Sequence, residues 1–169
     1  MQLLWDPGMS LEQYARVPAV CYPTIRRCPV CHANVNLIGH GFYHRNALPR
    51  ANLSYRLAIK RFYCRVCHRT VSLLPWFLLP RFQYSVALII DSLRRKRRAY
   101  RELLQHWRRR FLRNTNVILA LLRDLGYNAS LPRAPDEKAI RLLRTIENMG
   151  PAVFSALHHK CFRRSFMAR

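Results

Sequence analysis

Apolar residues in the C-terminal half recur at helical spacing. Val86, Ile89, Ile90 and Leu93 mark one face, and Tyr100, Leu103, Leu104, Trp107 and Phe111 resume it at i, i+3, i+4, i+7 and i+11. The pattern predicts two helices, or one broken helix, between Tyr84 and Phe111. A further helix is expected over Asn114–Leu125, with Asn114 or Thr115 as its cap and Gly126 as a left-handed stop. It is apolar nearly all round, so it belongs in the core. After a loop with Pro132 and Pro135, Asp136 and Glu137 open a helix at its favourable dipole end. Its inner face is Ala139, Ile140, Leu142, Leu143 and Ile146. Gly150 and Pro151 end it and start another, from Ala152 to about His159. The basic tail FRRSFMAR is expected to fray.

The N-terminal half changes period. Val35–Ile38, a Gly39-His-Gly41 turn or bulge and then Phe42 and Tyr43 read as strand. Residues 44–56 are polar, contain Pro49 and are expected to form a loop. Leu57–Tyr63 and Arg69–Leu74 read as a second and a third strand. Leu73–Pro80 is apolar, and prolines at 75 and 80 exclude a regular helix there. It is expected to clip the two halves together through Trp76 and Phe77. Before all this, Ser10 caps a short helix in a lead, and Pro18 and Pro23 force extended backbone. The expected class is α+β, divided into a lead (1–25), a small β module (26–80) and a basic helical domain (81–169).

The β module carries the chemistry. Cys28-Pro-Val-Cys31 and Cys64-Arg-Val-Cys67 are two Cys-x-x-Cys knuckles with 32 residues between them. Each knuckle turns both sulfurs the same way, and the returning chain brings the pairs together. Four thiolates suit one tetrahedral Zn²⁺ in a closed structural site. The competing reading is two redox or disulfide pairs, but neither knuckle sits in a thioredoxin-like βαβ unit. A four-cysteine zinc ribbon of this size cannot bury a sufficient core, so the metal contributes folding energy directly. His32 and His68 follow the knuckles and are read as solvent or phosphate neighbours, since four cysteines already satisfy zinc. His40 and His44 are read as surface residues, and Cys21 and Cys161 as small buried or incidental thiols.

Charge adds a partner. Thirty Lys and Arg face eight Asp and Glu, a formal net charge of +22. A body this basic repels itself, and an excess of Arg favours phosphate. From Gln13 to Ile90 there are eleven basic residues and no acid. Ten of the twenty residues from Arg94 to Arg113 are basic, with only Glu102 opposing them. A solvated face usually carries Glu beside its Arg, so a nucleic-acid surface is favoured over a merely soluble one. The candidate phosphate contacts are Arg61, Arg65 and Arg69 in the β module and Arg94, Arg95, Lys96, Arg97, Arg98, Arg101, Arg108, Arg109, Arg110 and Arg113 in the helices. No apolar run reaches the ~20 residues of a membrane span. The N-terminus lacks the layout of a secretory signal, and thiolates free to hold metal suit a reducing compartment, so a cytoplasmic, nucleoid-associated location is expected.

With CPVCH, RFYCRVCHRTVSLLPWFLLPRF and the basic helices in view, residues 26–113 resemble the zinc-ribbon proteins of bacterial insertion elements, both InsA-like regulators and transposon-associated zinc-finger proteins. The resemblance implies a ribbon followed by a helix-turn-helix, binding to element DNA, Cys28, Cys31, Cys64 and Cys67 as metal ligands, and a transposase or other mobile-element protein as a partner. AYRELLQHWRRRF departs from that pattern, having no Gly or Ser turn. Arg101, Gln105, His106 and Arg108 are the candidate base readers. The alternative partner is RNA, in a ribonucleoprotein. A small transposase or nuclease would need carboxylates converging on Mg²⁺. None of the eight acids (Asp6, Glu12, Asp91, Glu102, Asp124, Asp136, Glu137, Glu147) lies in the ribbon, so no catalytic residue is assigned.

Overall fold

The computed structural model describes residues 1–17, 21–50, 52–95 and 100–168. Among these residues the fold is mixed α and β, with a four-stranded sheet and five helices. The sheet order is β1 (Gln2–Trp5), β4 (Thr70–Pro75), β3 (Leu53–Tyr63), β2 (Ile38–Arg50). β2, β3 and β4 form an antiparallel meander, while β1 pairs parallel to β4, Leu3 opposite Leu73. The N-terminal lead therefore supplies an edge strand. It also supplies α1 (Leu11–Arg16), whose Ser10 and Gln13 form a reciprocal capping box.

Residues 44–56 are not a loop. β2 and β3 run through them as one long hairpin, with Arg45 opposite Leu57 and Ala47 opposite Tyr55. The polar residues are there because one face is wet. Phe42, His44, Asn46 and Arg56 are exposed, whereas Ala47, Leu57 and Ile59 are buried under α1 and Phe77. Pro49 is accommodated where the register shifts between Ala47 and Arg50. At that bulge β2 reaches the helices. Leu48 N–H donates to Gln83 O at 2.8 Å, and Ser85 N–H donates to Leu48 O at 3.0 Å. Arg45, half-buried, donates to Leu79 O at 2.7 Å and also to Phe82 O, and burial lowers its pKa. The expected clip at 73–80 joins the halves: Phe77 and Leu78 belong to the sheet core, Leu79 and Phe82 to the helical core.

Four helices follow: α2 (Val86–Arg95), α3 (Arg101–Asp124), α4 (Pro135–Met149) and α5 (Pro151–Phe162). Buried Ser85 accepts from Leu88 N–H and so starts α2. The helix expected to begin at Asn114 is instead the second half of α3. No Gly or Pro breaks the chain there, and Asn114 is buried with its amide donating to Arg110 O and Ala168 O. Gly126, at φ 88°, ends α3 as expected, with Tyr127 N–H bonding back to Leu122 O.

Through Ala168 the tail does not fray. Arg163, at φ 55°, turns the chain back, and Phe166 and Met167 are fully buried, Phe166 edge-on to Phe154 at 5.4 Å. Within this aromatic cluster sits His158, buried, its Nδ1–H donating to Arg164 O at 3.0 Å and its Nε2 without a partner among the described residues. Burial lowers its pKa to about 4. An unfolded His titrates near ~6.5, so below that pH the unfolded chain takes up a proton that the native state refuses. The stability is whole above pH ~6.5 and falls by about 3 kcal/mol as pH drops through the folded value. His158→Asn keeps a donor for Arg164 O and removes the titration. Its helical circular-dichroism melts should lose less stability between pH 6.5 and 4 than those of wild type; an equal loss would assign the acid sensitivity elsewhere.

Candidate metal centre

The two knuckles are copies of one local structure. In the first, Cys28 N–H donates to Ala33 O and His32 N–H to Cys28 O; in the second, Cys64 N–H donates to Arg69 O and His68 N–H to Cys64 O. Each turn closes through a histidine with positive φ, 61° at His32 and 56° at His68. That conformation normally favours Gly, and His is among the side chains that tolerate it. The two histidines thus shape the knuckles, a role that residue type alone did not reveal. His68 Nδ1 also meets the Tyr63 hydroxyl at 2.7 Å, and His32 O accepts from Arg27 Nε.

β3 delivers the second knuckle directly, since the strand ends at Tyr63. The first is carried on residues 25–37, where Leu37 N–H pairs with Ile25 O. Leu37, Phe62, Val71 and Leu73 pack beneath the sulfurs. All four Sγ atoms lie within 4.8 Å of one another, with Cys28–Cys67 at 3.7 Å and Cys31–Cys64 at 3.9 Å. None is in a disulfide. A tetrahedral ion with metal–sulfur bonds of ~2.3 Å requires sulfurs ~3.8 Å apart, so the donor set fits a metal ion. The electrostatics point the same way. Burial pushes both Cys28 and Cys67 up. Backbone N–H groups at Cys31 and Val30 overcome that at Cys28, which falls to about 6, while the neighbouring sulfurs raise Cys67 further, to about 12. A cation among the sulfurs would favour the thiolate at Cys67, which its neighbours disfavour. Cys21 and Cys161 are exposed and lie outside this group.

The described candidate phosphate contacts separate into four sets. Arg65 and Arg69 are exposed beside the second knuckle, and Arg26 and Arg27 are exposed before the first. Arg61 is half-buried with its Nε enclosed, and Arg110 lies over the Phe82 ring and donates to Met167 O, so neither faces freely outward. Arg94 pairs with Glu147 at 2.9 Å, Arg95 with Asp91 at 2.6 Å and Arg108 with Asp136. Sequence reasoning gave these three to phosphate; the fold uses them to tie α2 and α3 to α4 and to brace α2. Arg101, Arg109 and Arg113 are exposed on α3. Lys96, Arg97 and Arg98 lie outside the described residues.

No described helix is long and apolar enough to cross a membrane. No curated protein and no solved structure matches the chain. Residues 28–107, just under half of it, from the first metal-site cysteine to Trp107, match the model of a domain of unknown function, DUF6431.

Proposed function

We propose that the protein is a zinc-ribbon nucleic-acid-binding module whose partner is duplex DNA. One observation carries the reading. Folding the knuckles together gathers Arg26, Arg27, Arg65 and Arg69, all exposed, around the cysteine cluster, within a stretch that has no acid from Gln13 to Ile90. A zinc ion with four thiolates has a formal charge of about −2, which offsets only part of this cationic rim. The surplus suits a polyanion. Exposed Arg101, Arg109 and Arg113 on α3 extend the basic surface. Phosphate contacts of this kind bind without reading sequence. The association with a mobile element, the helix-turn-helix character of α2 and α3 and the transposase partner rest on the sequence resemblance alone.

The chain acts by binding in this account. Asp91, Asp136 and Glu147 are engaged by arginines, and the four cysteines are the one metal-capable group among the described residues. Competition distinguishes DNA from RNA. Labelled duplex DNA held by the zinc-loaded protein should be displaced by unlabelled duplex at lower concentration than by structured RNA. Equal displacement would favour a ribonucleoprotein role.

A further inference from the structure

A cleft of about 1010 Å³ opens where β1, the segment after the clip, α3 and the C-terminal tail meet. Arg81 enters it from the clip side, and Arg163 and Arg164 from the tail. Arg81 is about 80 residues from the other two in sequence, and none of the described residues lining the cleft is acidic. All three arginines are exposed, and no ion pair or hydrogen bond to their guanidinium groups forms among the described residues. Arg94, Arg95 and Arg108, by contrast, are paired with acids. Two of the three also hold positive φ, 67° at Arg81 and 55° at Arg163, conformations that cost a non-glycine residue free energy. All three therefore border a cleft whose described lining offers them no acidic partner. Tyr84, half-buried and edge-on to Trp107 at 4.9 Å, gives the wall an aromatic surface.

We propose that this cleft binds the phosphate group of a nucleotide, with Arg81, Arg163 and Arg164 as its donors and Tyr84 beside the base. Guanidinium groups fit phosphate oxygens in a bidentate manner, and an aromatic ring accepts any base face. His159 lines the same cleft, and burial, followed by the Arg163 charge, lowers its pKa; a bound anion would raise it. The nucleotide can be free or part of a strand. The second source rests on the proposed nucleic-acid function; the first does not.

The test uses the full chain loaded with zinc. AMP is titrated by calorimetry and by NMR of the His159 imidazole. Binding should saturate, shift the His159 resonances and weaken ~10-fold or more in Arg81→Asn/Arg164→Gln, each lost charge-assisted bond being worth at least that much. Asn is chosen because it tolerates positive φ. Zinc content and melting temperature report whether the variant is folded. An AMP affinity equal in the folded variant and wild type would overturn the proposal. So would His159 resonances that stay in place at millimolar AMP, a measurement that needs no variant. A short oligothymidylate that displaces AMP identifies a strand as the source, and one that does not identifies the free nucleotide. Failure of wild type to bind duplex DNA, with AMP still bound, would count against the proposed function and leave the cleft assignment standing.

Discussion

Cys64→Ser is expected to release the metal and unravel the knuckle end of the sheet while the helices stay folded. Cys64 is fully buried, its Sγ lies 3.9 Å from that of Cys31, and its N–H closes the second turn on Arg69 O. Three thiolates leave one coordination position open, and serine is a poor fourth ligand. The apolar cluster under the site is small, with Leu37, Phe62, Val71 and Leu73 as its buried members besides the cysteines. Structural zinc in small domains supplies about 10–16 kcal/mol, as much as the ~5–15 kcal/mol net stability of a whole domain. The helical core is separate, built on Trp107, Phe111, Ile118, Phe154 and Phe166. Zinc stoichiometry should therefore fall to near zero with helical circular dichroism largely retained. A variant with full zinc content and an unchanged melt would refute the ligand assignment. Acidification should act on wild type in the same direction, because the thiolates must stay deprotonated to hold the ion.

Removing three exposed charges, Arg26, Arg65 and Arg69 to Gln, should weaken duplex binding to all sequences alike. Each phosphate contact contributes ~0.9 to the slope of log K against log salt, so the slope should flatten by up to about 2.7. The side chains have no ion pair or hydrogen bond among the described residues, so folding should be unaffected. Arg94→Gln and Arg108→Gln give the contrast. These arginines hold Glu147 and Asp136, at partly exposed positions where a pair is worth about 0–1 kcal/mol. Their loss should change stability slightly and the salt slope less than the triple variant does.

What could be read along the chain was local. The knuckle spacing identified all four clustered cysteines, and the 3.6-residue period placed the apolar faces of α2, α4 and the first half of α3; the second half, expected to be apolar all round, instead leaves Asn116, Ala120 and Arg123 exposed. Ser10, Gly126 and the Gly150-Pro151 break marked helix ends because capping acts within a few residues. The failures were non-local. Nothing near Gln2–Trp5 announces a parallel partner at Ser72–Pro75. His44–Arg56 looked like a loop because one wet face makes a strand polar, and its partner strand lies in the same polar stretch. Asn114 looked like a cap because its buried partner, Ala168 O, is 54 residues away. Phe166 and Met167 look like a short apolar interruption in a basic tail until the core they fill is known. The arginine run misled for the same reason. Asp136 and Glu147 neutralise it from another helix, so charge density along the chain overstated the charge left for a partner. A second group of exposed arginines stands beside the cysteines, where no acid is close in sequence.

The central claim is that a zinc-held, acid-free arginine rim binds the DNA backbone. The most direct measurement is the affinity of zinc-loaded wild type for a random-sequence duplex across a salt series, repeated after chelation. Binding should fall linearly in log–log form with salt and collapse when the metal is stripped, since the rim exists only while the knuckles are joined. A duplex affinity and salt slope unchanged by metal removal would contradict it.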